Sequence, residues 1–132
     1  MSRNMEGNYA IDPIENLARL TFWGELTVDG QIDLMNRVGA DPQYSPGMNA
    51  IADYREAYGN WDYSEVQRYR DYIVHISPGK SCRWAAVVKP GTLVAVGHVV
   101  ILISEAVSAR IKMQLFESPV LALRWVRGEI ED

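Results

Sequence analysis

The sequence predicts a three-layer α/β domain: a mixed, mostly parallel sheet of about five strands, with an N-terminal hairpin and about four helices covering it. Two patterns carry this expectation. After the hairpin, short apolar runs alternate with segments of helical period, giving the order β-β-α-β-α-β-α-β-α. Such alternation is the mark of parallel strands joined by right-handed crossovers, with helices on both faces of one sheet. The run at residues 48–55 ends in polar residues, as an interior strand reaching the carboxyl edge of a sheet does, and that at 82–88 is apolar enough for a second interior strand. A chain of 132 residues, 48% of them hydrophobic, suits one domain over 1–132 with a core of its own.

In chain order, residues 8–12 and 17–24 show strand-like alternation on either side of Pro13, Ile14, Glu15 and Asn16, which have turn chemistry, so they form a hairpin. Leu20, Phe22 and Gly24 share one face of the second strand; Arg19, Thr21 and Trp23 share the other. Thr27 is a good N-cap for a helix through Val38, with Ile32, Met35 and Val38 at helical spacing, Leu34 beside them, and Gly39 as its stop. A Pro- and Gly-rich loop at 41–47 leads into the strand at 48–55, and an aromatic loop at 56–61 follows.

Asp62 and Glu65 have capping-box spacing, and Val66, Tyr69, Ile73 and Ile76 recur on one face of the helix they open. Residues 82–88 are the fourth strand and 111–116 the fifth. Ser118 caps a last short helix with Pro119 at its first position and Ala122, Trp125 and Val126 inward.

Composition excludes several functions. Thirteen Lys and Arg against seventeen Asp and Glu leave a net charge of −4, which argues against a nucleic-acid partner. The single cysteine, Cys82, rules out an intramolecular disulfide and the usual Cys-rich zinc sites, and it falls in a strand pattern where it reads as buried. No metal site, cofactor site or catalytic motif is expected: the chain has no Gly-x-Ser-x-Gly elbow, no phosphate-binding Gly-rich loop and no His-Glu-x-x-His. The N-terminus carries polar residues where a signal peptide needs an apolar stretch, so a cytoplasmic protein is expected.

Three stretches together resemble the SpoIIAA-like proteins, relatives of STAS domains and anti-sigma-factor antagonists. They are Ile51-Ala52-Asp53-Tyr54-Arg55, Trp84-Ala85-Ala86-Val87-Val88, and the ending from Phe116 to Trp125. The resemblance covers most of the chain from Tyr9 to Trp125. It implies a non-enzymatic interaction or regulatory module that binds a protein partner or itself. In the antagonists, a serine within an Asp-Ser-Ser-Gly-like motif at the start of the helix after the third strand is phosphorylated by a partner kinase. Here Asp62-Tyr63-Ser64-Glu65 stands at that place. Ser64 is in position, but the glycine and the neighbouring serine are missing, and Glu65 would repel a phosphate carrying about −1.5 to −2 charges. The family also resembles lipid-handling CRAL-TRIO domains, which implies an alternative: an apolar-ligand or lipid carrier, or a domain that associates peripherally with membranes.

Two groups of residues are the candidate sites. Tyr54, Arg55, Tyr58, Trp61, Ser64 and Arg68, together with Asp53, gather near the carboxyl edge of the sheet, where open α/β sheets bind ligands or partners. An arginine there can clamp a carboxylate or phosphate, and the rings offer flat walls. Equally, Asp53 and Arg55 can simply tie down the loop.

The second group lies in residues 93–103, a helix apolar almost all round whose only strongly polar side chain is His98. If Leu93, Val96, Val100 and Ile103 meet the sheet, then Val94, Ala95, Ile101 and Leu102 are left over. With His98, the leftover face of Val94, Ile101 and Leu102 meets a neighbouring helix, a second copy in a homodimer, or a lipid. The stretch falls short of the roughly 20 apolar residues needed to span a bilayer. The other histidine, His75, sits at a helix C-terminus, where the dipole suits it.

Overall fold

The five strands lie side by side in the order in which the chain makes them. A computed structural model describes residues 6–76, 81–91, 97, 98, 100, 101 and 110–131. Its elements are β1 (Glu6–Asp12), β2 (Leu17–Glu25), α1 (Val28–Ala40), β3 (Asn49–Tyr58), α2 (Tyr63–Ile76), β4 (Cys82–Val87), β5 (Ile111–Phe116) and α3 (Pro119–Val126). The sheet order is β1-β2-β3-β4-β5; β1 and β2 are antiparallel, and every later pair is parallel. The protein is therefore α/β with a mixed five-stranded sheet. Three helices have defined bounds, against about four expected. Gly97, His98, Val100 and Ile101 are helical, and the rest of the expected helix at 93–103 lies outside the described residues.

Period-two alternation in the strands sorts the core onto two faces. Ala18, Leu20 and Phe22 of β2 pack with Val28, Leu34 and Val38 of α1 and Val66, Tyr69 and Ile73 of α2. Leu17, Ile51, Ala85 and Val87 point the other way and pack under Ala122, Trp125 and Val126 of α3. The inward positions expected for α3 are thus the ones it buries. Its C-terminal carbonyls are met across the sheet: Asn49 Nδ2 donates to the Val126 carbonyl at 3.0 Å, and Arg83 donates to that of Trp125 at 2.8 Å.

Local chemistry sets the helix starts as expected. Thr27 Oγ1 accepts from the Gly30 amide at 3.0 Å. Asp62 and Glu65 form a reciprocal capping box, with each side chain accepting the other's backbone N–H at 2.9 and 3.1 Å. Two boundaries differ from expectation. Helix α1 runs over Gly39 to Ala40 and closes on Asp41, whose amide donates to the Val38 carbonyl, because Gly39 does not adopt the left-handed conformation that would stop it.

Strand β3 also extends three residues past Arg55, so Glu56, Ala57 and Tyr58 belong to the sheet and not to a loop. They pair with Trp23, Gly24 and Glu25 beyond a bulge that places one extra residue on β3. Asp53 serves that bulge, since its Oδ1 accepts the Arg55 amide at 3.0 Å. Beyond the strand, Gly59 (φ +143°) lies so close to Leu26 that a Cβ would stand 3.2 Å from the Leu26 carbonyl oxygen.

A cavity between the sheet and its helices as the candidate functional site

The residues expected to form a site at the carboxyl edge are mostly engaged with their own neighbours. The Arg55 guanidinium is held by Asp53, with Nη2 to Oδ2 at 2.7 Å, and this hydrogen bond holds the Asp53 carboxyl below the usual carboxylate range. Arg68 pairs with Asp29, and Ser64 Oγ donates to Asp62 Oδ1 at 2.8 Å. Tyr58 is 51% exposed. Tyr54 and Trp61 do come together, but inside: Trp61 is 8% exposed, with its indole N–H on the Leu26 carbonyl, and both rings line the same cavity.

That cavity lies on the α1/α2 face of the sheet. The larger part, of about 400 Å³, is floored by Ala18, Ala50 and Ala52 and walled by Met35, Tyr44, Tyr72 and Trp84. A smaller part, of about 100 Å³, extends under Val100, Ile101 and Leu115. Gln31, Ala52, Tyr54, Tyr69 and Trp84 belong to both. The cavity follows directly from the strand sequences. Ala18 and Ala50 are register partners and Ala52 follows on the same face, so small side chains stand where interior strands ordinarily carry Val, Ile or Leu. Exposed lining residues at Asn36, Gly39, Ala40 and Pro46 put the mouth at the C-terminal end of α1, along the edge where β3 begins.

Gln31 is the polar centre of this cavity. It is 2% exposed; its Nε2 donates to Tyr54 Oη at 2.8 Å and approaches Tyr69 Oη at 3.4 Å. Among the described residues, its Oε1 is a buried side-chain atom with no hydrogen-bond partner. An unmet buried acceptor is costly, by about 1–3 kcal/mol, so native proteins seldom leave one without a reason. Burial pushes both phenols up, Tyr54 and Tyr69 alike, so both remain neutral hydroxyls. No charged side chain is among the described residues that line either part.

The remaining expected positions separate. His98 is exposed, whereas Ile101, expected on a leftover outer face, is half-buried and lines the cavity. The helix sits close on β5 there: a Cβ on Gly97 would stand 2.8 Å from Leu115 Cδ2. Val94 and Leu102 lie outside the described residues. Cys82 is buried, and desolvation raises its thiol to about 11. His75 is exposed at the end of α2. Among the described residues, no group of three or more His, Cys, Asp or Glu is placed to hold a metal, and no helix is long and apolar enough to cross a membrane.

Sequence reasoning passed over Gln31, Ala52 and Trp84. The signal was present for the first two: Gln31 interrupts the apolar stripe Val28, Leu34 and Val38 at helical spacing, and three alanines mark one face of two adjacent strands. Compared with known proteins, the chain matches no protein-family model, no curated protein and no solved structure.

Proposed function

We propose that this domain is a non-enzymatic binding module that holds a small, uncharged, largely apolar molecule between its sheet and α1/α2. The observation that carries this reading is the cavity of about 400 Å³, a volume within the range of small-molecule sites. Its walls are aromatic and aliphatic, and a well-packed domain does not keep such a space in its core for stability. With no charge in the described lining, an ion would be buried without a counter-charge, which selects neutral occupants. The placement of Ile101 on the cavity favours this over self-association through the same helix. The reading takes the fold as SpoIIAA-like, with a fourth helix over residues 93–103; the sequential sheet order and the helical residues Gly97, His98, Val100 and Ile101 support it.

Equilibrium dialysis with naphthalene as a neutral apolar probe tests the reading. The wild-type protein is expected to bind it with a micromolar Kd. The Ala52→Leu variant, which fills the space both parts share, is expected to bind at least about tenfold more weakly while melting no lower than the wild type. Absence of binding to the wild type, or equal binding to a folded Ala52→Leu, overturns it.

A further inference from the structure

The cavity has a direction as well as a volume. Its floor uses alternate residues of two neighbouring strands: Ala50, Ala52 and Tyr54 of β3, and Trp84, Ala86 and Val88 at and just beyond β4. Ala50 pairs with Trp84 and Ala52 with Ala86, so the two rows run side by side. Ala50 lines only the larger part, Ala86 and Val88 line only the smaller part, and Ala52, Tyr54 and Trp84 line both. The space therefore runs lengthwise along the strands, from the mouth beside α1 to an inner end where Leu26, Trp61 and Val88 are all buried. Because it arises where alanines replace larger strand residues, its height is that of an aliphatic side chain. Polarity is graded along the same axis. Exposed Asn36 and its hydrogen-bond partner Tyr72 line the larger part, with Tyr72 Oη donating to Asn36 Oδ1 at 2.7 Å, whereas the smaller part is the more apolar, under Val100, Ile101 and Leu115.

We propose that the occupant is a single unbranched aliphatic chain with one neutral polar end, lying along β3 and β4 with that end at the mouth. The floor from Ala50 to Tyr54, and beside it from Trp84 to Val88, spans four residue steps, or about 13 Å at about 3.3 Å each. An extended chain advances by little more than about 1 Å per bond, so this length holds about ten carbons. A compact molecule of the same carbon count fills the larger part but leaves the inner apolar wall uncovered, and loses the gain of burying its methylenes there. The polar end keeps its hydrogen bonds at the mouth, with water or Asn36; turned inward, it would be buried without partners.

This inference rests on the cavity reading above, and naphthalene binding separates the two. The 1-alkanols from hexanol to dodecanol, competing with naphthalene in equilibrium dialysis, measure the length of the site. Wild-type affinity is expected to rise about three- to fourfold with each added methylene as far as about decanol and then to level off. 1-Decanol is expected to bind at least about tenfold more tightly than decahydro-2-naphthol, which has as many carbons in a compact body. In Ala86→Leu, which fills the inner end, the levelling is expected to come at a shorter chain, with hexanol and naphthalene binding as they do to the wild type. In Ala50→Leu, near the mouth, hexanol and decanol are expected to weaken together. Decahydro-2-naphthol binding the wild type as tightly as 1-decanol, or hexanol and decanol weakening by the same factor in an Ala86→Leu protein that still binds naphthalene, overturns the linear chain and leaves the apolar cavity standing. Absence of naphthalene binding to the wild type overturns the cavity reading, and this inference falls with it.

Discussion

Asp53 shows how a residue with functional chemistry can be committed to architecture. It stands where β3 carries one residue more than β2, and a bulge of this kind releases a backbone amide from the ladder. The carboxylate takes that amide and, at the same time, the guanidinium of the residue that owns it. The Arg55 hydrogen bond, chiefly, lowers the folded-state pKa of Asp53 below its ordinary 3.8. A depressed carboxylate pKa contributes stability that is complete above the unfolded-state value and is lost as pH falls through the folded-state value. Asp53→Asn is therefore expected to lower stability at pH 7 by about 1 kcal/mol, the arginine being partly exposed. In urea titrations at a series of pH values, the gap between variant and wild type should shrink once the pH drops below the ordinary 3.8. A gap that persists unchanged into strong acid would show that the carboxylate's charge is not what stabilises the bulge.

At the scale of the element, α2 shows how much a start signal of four residues can decide. The reciprocal Asp62–Glu65 box satisfies two backbone donors that the first turn would otherwise leave unmet. Ser64 leans on the same carboxylate, so the hydroxyl at the position resembling the antagonists' phosphorylated serine is already part of the cap. A phosphate there would face Asp62 and Glu65 in the same turn. Asp62→Ala is expected to cost about 1 kcal/mol, measured as a lower urea midpoint with an unchanged slope. Because α2 supplies Tyr69 and Tyr72 to the cavity wall, the loss should also weaken probe binding modestly. Cap and candidate site thus meet in one helix, whose start faces one sheet edge and whose last turns wall the cavity near the other.

For the whole molecule, the two faces of the sheet differ in how completely they are filled. Under α3, Trp125 is fully buried, its ring 5.6 Å from that of Phe116 and 5.2 Å from the Arg83 guanidinium carbon. Between the sheet and α1/α2, alanines leave a space about 400 Å³ in volume. Trp125→Ala is consequently expected to destabilise the domain by about 3–5 kcal/mol in urea unfolding, the usual cost of removing a large buried ring from a packed site. Filling the opposite face at Ala52 is expected to carry no such penalty. One face of the sheet is thus closely packed, and the other leaves room between sheet and helices.

Much of this was legible before the fold was known. Alternating apolar runs and helical periods determined the α/β class, and capping chemistry at Thr27, Asp62 and Ser118 determined where helices begin, because these signals act within a few residues along the chain. The inward positions of α3 and the burial of Cys82 were readable for the same reason. The bulge that carries β3 on to Tyr58 was not, since it depends on register with β2, a strand some thirty residues earlier. Nor was the cavity: Ala18, Ala50 and Ala52 are unremarked small residues until pairing brings them together beneath Gln31. Local hydrogen bonding and periodicity are written in sequence neighbours, whereas an internal space is the difference between the volumes of residues far apart in the chain, and only the tertiary structure performs that subtraction.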